Sequence, residues 1–337
     1  MNRTLVATLL ILLLSACASA PPGAPESALE WPGAPAPARV RYVQSVAAAE
    51  DLGIRRSLLQ RLGDLLFGGE ELRLVRPMAV TEAGSALYVA DPGMRGVHRF
   101  ERSAGRHQVI RRSNSQDLPS PVGLARGGNG EVYVTDASLR KVFVIRPGAE
   151  EAAELPLSVD LRQPTGIAFD ASTGRLFVTD TAAHQVLVFG RNGQLAARLG
   201  RRGEGVGEFN FPTLLWRDAA GRLYVTDSLN FRVQIFDAEG SVVTSFGRHG
   251  NASGDLARHK GVATDSHGHI YVVDALLHAV QIFDPTGRLL MGLGGQGQGR
   301  GEFWLPAGLY IAPDDTIYVA DAFNRRLQVL RYVGGPT

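Results

Sequence analysis

The 337-residue sequence predicts an all-β fold, a six-bladed β-propeller with four antiparallel strands in each blade. One short unit recurs six times, which is typical of folds built from similar units packed side by side. The chain also contains 40 glycines and 18 prolines spread along its length, and these residues favour tight turns between short strands. In addition, a segment near residue 42 supplies a strand that the last unit lacks.

The repeated unit is an apolar strand that ends in aspartate, as in Tyr224–Asp227. A strand that opens with proline or its replacement and continues with small apolar residues precedes it. An alternating strand such as Val233–Phe236 follows it, and a turn containing Asp and Gly leads to a fourth strand. Four short antiparallel strands at this period form one propeller blade. The repeated aspartates are Asp91, Asp136, Asp180, Asp227, Asp274 and Asp321. Blades are predicted to begin near residues 77, 121, 164, 212, 259 and 306.

The last blade runs out of chain after its third strand, at Leu327–Tyr332. Residues 42–47 match the fourth-strand pattern of residues 242–247 almost position for position. We therefore expect an N-terminal strand over 39–47 to complete blade 6 and to pair its open edge. Residues 39–337 then form one propeller domain.

A leucine-rich segment separates the closing strand from blade 1. Within residues 51–76 the apolar side chains recur at helical spacing, at Leu58, Leu59, Leu62, Leu65 and Leu66. This spacing predicts one short amphipathic helix, which we expect to pack across one face of the propeller rather than to bind a partner or a membrane.

The N-terminus has the pattern of an export signal, with Arg3, an apolar run and then small residues. Leu14-Ser15-Ala16-Cys17 resembles the lipobox of bacterial lipoproteins, and Cys17 is the only cysteine of the chain. The resemblance implies that residues 1–16 are a signal peptide and that Cys17 is lipidated and anchors the protein to the envelope; the alternative is an ordinary signal peptide with a chance cysteine. Because Ala18 follows instead of aspartate, it also implies the outer membrane, facing the periplasm. The Pro- and Ala-rich residues 17–38 are predicted to form a tether.

The repeats resemble a named family. Tyr224–Asp237 is similar to an NHL repeat, and so are the glycine-rich connectors Gly203–Phe209 and Gly297–Phe303. The resemblance covers residues 74–332 and identifies the chain as an NHL-repeat lipoprotein of bacteria. Blades 1 and 2 depart most from the pattern because they lack the glycine-rich connector.

The repeated aspartates are interpreted as structural, because a role found in every blade belongs to the fold. We expect each carboxylate to accept N–H groups of the following turn or to pair with an arginine such as Arg232 or Arg326.

Candidate binding residues lie four positions after the repeated aspartates, where NHL repeats have a histidine. They are Arg95, Arg140, His184, Phe231, His278 and Arg325. Blades 6, 1 and 2 are neighbours in a closed ring, so the three arginines are predicted to make one side of that face basic; the alternative is a solvated rim without a function. Phe211 and Trp304 are candidate aromatic anchors on the same face, whereas Phe209 and Phe303 recur in the connectors and are expected to pack between blades.

An enzyme with a six-bladed fold is the alternative function. Six-bladed propellers that the chain resembles include the peptidyl-hydroxyglycine lyases and the calcium-dependent lactonases. In these enzymes the metal ligands lie where the first strand of each blade meets the central channel. At those positions only His259 has a metal-binding side chain, in place of the usual proline, so we predict neither a metal nor a cofactor. A structural role or a ligand contact stays open for His259.

The sequence therefore predicts a lipid-anchored binding or scaffold protein of the bacterial envelope. Its loop face is expected to engage a protein, peptide or glycan, and the protein is expected to be a monomer. Nucleic acid is not an expected partner, because the formal net charge is only +2 and the chain is predicted to be exported. The alternative is a metal-assisted lyase or lactonase whose ligands lie outside the repeat alignment.

Overall fold

Six antiparallel sheets form a closed ring in the computed structural model, which describes residues 28–55 and 72–334. The first strands of neighbouring blades contact one another all the way round, and the first strand of blade 6 returns to that of blade 1. The strands are β1 (Glu30–Trp31) and β2 (Val40–Val46); in blade 1, β3 (Ala79–Ala83), β4 (Ala86–Asp91), β5 (Gly96–Glu101) and β6 (Arg106–Ile110); in a hairpin, β7 (Arg112–Ser113) and β8 (Gln116–Asp117); in blade 2, β9 (Pro121–Arg126), β10 (Val132–Asp136), β11 (Lys141–Ile145) and β12 (Ala153–Glu154); in blade 3, β13 (Pro164–Asp170), β14 (Arg175–Asp180), β15 (Gln185–Phe189) and β16 (Leu195–Leu199); in blade 4, β17 (Pro212–Arg217), β18 (Leu223–Asp227), β19 (Arg232–Phe236) and β20 (Val242–Phe246); in blade 5, β21 (His259–Thr264), β22 (Ile270–Asp274), β23 (Ala279–Phe283) and β24 (Leu289–Gly294); and in blade 6, β25 (Leu309–Ile311), β26 (Thr316–Asp321) and β27 (Arg326–Tyr332). The predicted all-β six-bladed propeller is confirmed.

The core of the molecule lies between the blades. In blade 4 every residue of the second strand, β18, is buried, whereas the outermost strand β20 alternates between half-buried and exposed residues. A strand covered on both faces by neighbouring sheets has a continuous apolar sequence, and an outer strand keeps one wet face. This difference explains why the Tyr-Val-Thr-Asp type of segment repeats so clearly in the sequence.

The N-terminal strand closes the ring, as predicted. β2 pairs antiparallel with β27, with Val46 opposite Leu327 and Val40 opposite Tyr332. One residue, Val43, is skipped between paired Tyr42 and Gln44, which makes a β-bulge. The fourth strand of blade 4 skips Val243 in the same place, so β2 repeats the geometry of β20 as well as its sequence.

The folded structure begins earlier than the sequence indicated. Glu30–Trp31, inside the segment predicted as a tether, pairs with β2 as a fifth strand of blade 6. Trp31 packs against the core between blades 5 and 6, where its ring lies beside Gly301. Burial of a large aromatic ring stabilises this short strand.

The predicted helix over 51–76 lies mostly outside the described residues, since only its two ends are described. A 3-10 helix spans Ala49–Leu52, just after the closing strand, and the Asp51 carboxylate accepts the N–H groups of Ala47 and Ala48. The predicted signal peptide and Cys17 also lie outside the described residues. In the part of the chain that the structure describes, no helix is long and apolar enough to cross a membrane.

Candidate functional site

The loop face is the face of the ring that carries the turns between the second and third strands of each blade and the connectors between blades. The repeated aspartates lie at this face, fully or almost fully buried. Asp227 accepts hydrogen bonds from the Asn210 N–H at 2.7 Å and from the Arg232 Nε at 2.8 Å. Asp136 likewise accepts N–H groups from the connector before its blade and from the turn that follows it. These contacts support a structural role for the aspartates. The expected partners are not found in every blade, however, because the described partners of Asp180 are N–H groups of the preceding connector.

The six candidate residues that follow the aspartates share one backbone conformation. Each has a positive φ in the left-handed region: 52° at Arg95, 57° at Arg140, 56° at His184, 54° at Phe231, 51° at His278 and 56° at Arg325. This conformation is uncommon for residues other than glycine. The position is therefore a turn required in every blade, and only the side chain is free to vary.

Three of these side chains make contacts between one blade and the next. His184 Nδ1 accepts the Phe211 N–H at 3.1 Å, and His278 Nδ1 accepts the Leu305 N–H at the same distance. Phe231 packs on the ring of His249, with 4.2 Å between the ring centres. Each contact holds the connector that leads to the next blade, so these residues fix the positions of the loops on the face.

The three arginines are exposed. Blade 6 contacts blade 1 and blade 1 contacts blade 2, so Arg325, Arg95 and Arg140 follow one another along one half of the loop face. Arg95 forms a long ion pair with Asp117, at 3.5 Å, whereas among the described residues Arg140 and Arg325 have no acidic partner. Exposed cations with weak or no pairing are available to an approaching anionic group.

The aromatic candidates divide into buried and exposed residues, as the sequence indicated. Phe209 and Phe303 are completely buried and pack between blades. Phe211 is 38% exposed and Trp304 is 40% exposed, and Trp304 lies beside Phe323 with 6.0 Å between the ring centres. The loop face thus combines exposed aromatic rings with exposed arginines.

His259 is completely buried between blades 4 and 5. Its Nε2 lies 2.9 Å from the carbonyl oxygen of Arg232, so this nitrogen carries the proton, and Nδ1 has no partner in the described structure. Burial lowers the pKa of His259 and so favours its neutral form. The structure places this residue in the packing between blades and away from the surface of the loop face.

Next to His259, three cations surround a pocket that sequence reasoning missed. The channel-mouth pocket has a volume of about 330 Å³ and opens on the loop face, with Arg76, Arg258 and Lys260 in its lining. Burial, together with the charges of Arg258 and Arg76, lowers the pKa of Lys260. The available signal was a break in the repeat: Lys260 occupies a position where the other blades have Met78, Val122, Thr165, Thr213 and Ala307.

The opposite end of the channel is a wider cavity of about 790 Å³. Trp216 projects from blade 4, donates its indole N–H to the Thr264 hydroxyl at 3.0 Å and meets the Tyr310 ring edge-on at 5.9 Å. Because Trp216 touches core residues belonging to three inter-blade clusters, it ties blades 4, 5 and 6 together across the channel.

Buried glutamines form a second feature that the sequence analysis did not identify. Gln234 accepts the Gly207 N–H through its side-chain oxygen and donates to the Glu208 carbonyl, and Gln281 and Gln328 make equivalent bonds. These glutamines occur in blades 4, 5 and 6, where they pin the preceding connector. Across residues 28–55 and 72–334, no three His, Cys, Asp or Glu side chains are grouped closely enough to hold a metal ion.

Comparison with known proteins identifies a matching family and a relative with a similar segment. A family model described as the teneurin NHL domain matches residues 100–298. Peptidyl-glycine alpha-amidating monooxygenase of Mus musculus is 28% identical over 119 residues, which are 31% of this chain and 12% of that protein. The aligned segment is therefore a small part of the mouse protein.

Solved structures with the same architecture include a lyase, a binding protein and a putative gluconolactonase. Virginiamycin B lyase from Staphylococcus aureus has a TM-score of 0.58 at 14% identity, over 78% of this chain and 98% of that one. An auxiliary nutrient binding protein from Bacteroides thetaiotaomicron has a TM-score of 0.61 at 12% identity, over 77% of this chain and 70% of that one. A putative gluconolactonase has a TM-score of 0.59 at 14% identity, over 77% of this chain and 89% of that one. At these identities the likeness shows the fold alone.

Proposed function

The chain belongs to the teneurin NHL domain family, and we propose that it is a binding protein of the bacterial envelope that engages a protein, peptide or glycan through its loop face. The observation that carries this proposal is the coexistence, on one face, of exposed arginines with exposed aromatic rings. Arg and aromatic side chains dominate the binding energy of many protein interfaces.

The rigidity of the face supports the same proposal. The buried aspartates, together with His184 and His278, fix the turns and connectors that carry the exposed residues. A surface that is already ordered loses little conformational entropy when it binds, and this increases affinity. The loops of the face therefore present Phe211 and Trp304 in fixed positions.

Replacing the three exposed arginines together tests the proposal. The variant Arg95→Gln, Arg140→Gln, Arg325→Gln is expected to reduce capture of the partner from envelope extracts while its unfolding midpoint stays unchanged. A control variant makes the same charge change at exposed arginines near the turns of the opposite face, at Arg146, Arg175 and Arg191. Equal capture by the two variants would show that the loop face is not the binding surface.

The membrane anchor is the second part of the proposal. Leu14–Cys17 supports lipidation of Cys17 and attachment to the outer membrane, on its periplasmic side. Because β1 begins at Glu30, the lipid would lie at the end of a short tether attached to blade 6. Mass spectrometry of the mature N-terminus tests this: a multiply acylated Cys17 supports the anchor, and a free thiol at that residue contradicts it.

A metal-assisted lyase or lactonase is the second candidate, because virginiamycin B lyase and a putative gluconolactonase have the same fold. Elemental analysis of protein purified without chelators separates the two functions. Stoichiometric zinc or calcium would support the enzyme, whereas a metal-free preparation that still captures its partner would support the binding protein.

A further inference from the structure

We propose that the channel-mouth pocket binds a carboxylate that is attached to an apolar group. This inference rests on the proposed function, because it assigns the chemistry of the group that a partner presents to the loop face. Three positive side chains in a pocket with apolar walls carry the argument.

The positive charge of the pocket is not balanced from within. Arg258 and Lys260 flank buried His259 at the start of β21, and Arg76 comes from the start of blade 1. Among the described residues that line the pocket, none is acidic. Like charges at close range repel one another, and burial adds the cost of removing water from Lys260. A bound anion relieves both effects at once.

The walls indicate what the anion is attached to. Met78, Val122, Leu305 and Phe323 line the pocket, and its volume of about 330 Å³ is at the small end of the range for ligand sites, roughly 300–1,000 Å³. An arginine guanidinium matches the two oxygens of a carboxylate. The apolar walls favour a hydrocarbon group beside it, and they disfavour a strongly hydrated phosphate.

A carboxylate of this kind has two sources, a free organic acid or the C-terminus of a partner's chain. Phe323 lines the pocket and also contacts exposed Trp304, so the apolar surface continues from the pocket onto the loop face. A chain whose C-terminal residue occupies the pocket would continue across this surface, whereas a free acid would use the pocket alone.

Titration calorimetry on the purified full chain tests the proposal with four probes: N-acetyl-Gly-Leu, its C-terminal amide, hexanoate and inorganic phosphate. N-acetyl-Gly-Leu is expected to bind, and its amide to bind at least about 10-fold more weakly, because the amide lacks the charge that the cations recognise. Added salt should weaken the binding of the acid.

Variants locate the binding in the pocket. Lys260→Met is expected to reduce the affinity for N-acetyl-Gly-Leu about 10- to 100-fold, as for the loss of one or more charge-assisted hydrogen bonds. The same variant should unfold at an equal or higher temperature, because it removes a partly buried charge. Arg198→Gln, on the exposed outer strand of blade 3, is the control and should bind like the unaltered chain.

The outcomes separate the possibilities. Binding of N-acetyl-Gly-Leu at least about 10-fold tighter than hexanoate supports a chain terminus, and similar affinities support a free acid; either result supports the carboxylate site. Phosphate binding more tightly than both acids, equal binding of acid and amide, or full affinity in Lys260→Met overturns the proposal. If no acid binds but the partner still crosslinks to the loop face, the carboxylate site is refuted and the proposed function stands. If an acid binds but no partner crosslinks to the loop face, the proposed function is refuted and the carboxylate site stands.

Discussion

Closure of the ring by β2 depends on two buried valines, and their substitution gives the most quantitative prediction. Val40 and Val46 are completely buried, whereas Val43, in the bulge of the same strand, is 51% exposed. Each Val→Ala change removes two methyl groups. Their burial is worth about 1.6 kcal/mol at about 0.8 kcal/mol per carbon, and the cavity left behind adds about 1 kcal/mol.

Val40→Ala and Val46→Ala are therefore each expected to lower the free energy of unfolding by about 2–3 kcal/mol. Val43→Ala is the matched control and should change it by less than about 0.5 kcal/mol, as surface substitutions usually do. Urea titrations followed by circular dichroism and tryptophan fluorescence measure the three values, provided that the denaturant slope is unchanged. Equal effects at positions 43 and 46 would refute the proposed register of the closing strand.

Two further predictions concern groups buried at the loop face. The pKa of His98 is lowered to about 3 by burial and by the charges of His107 and Arg111, so the folded protein binds fewer protons than the unfolded chain between pH 3 and 6.5. The free energy of unfolding should fall as the pH falls through this window, by up to about 1.4 kcal/mol per pH unit. His98→Gln should make this pH dependence less steep, as measured by urea titrations at pH 7, 5.5 and 4.5. An unchanged pH dependence in the variant would contradict the role given to His98. Asp227→Ala leaves Arg232 without its buried partner and should lower the free energy of unfolding by about 3–5 kcal/mol. Among the described residues Asp180 accepts backbone N–H groups alone, so Asp180→Ala should lower it by less. Equal losses in the two variants would contradict the role given to the arginine.

Much of the fold could be predicted from the sequence because the evidence is local and repeated. The Tyr224–Asp227 type of segment identifies the second strand of each blade, and the likeness of residues 42–47 to 242–247 extends to the position of the bulge. The short strand at Glu30–Trp31 could not be predicted in this way. Its stability comes from the contact of Trp31 with blades 5 and 6, which are distant in the sequence.

The site was predicted less completely, because a repeat shows where a residue lies but not where its side chain points. His259 and Lys260 are adjacent and both break the pattern of their positions. Successive residues in a strand face opposite sides, so the histidine is buried between blades and the lysine lines the pocket. Of the two side chains, only the histidine is a common metal ligand, so the position of the lysine gave no separate indication of a site.

Photocrosslinking in intact cells tests directly whether the loop face is the binding surface. A photoreactive phenylalanine analogue would replace Trp304 on the loop face in one variant and Val243 on the outer edge of blade 4 in another; these side chains are 40% and 57% exposed. We expect one crosslinked partner from position 304 and none from position 243. Crosslinking of the partner from position 243 alone, or equally from both positions, would contradict this expectation.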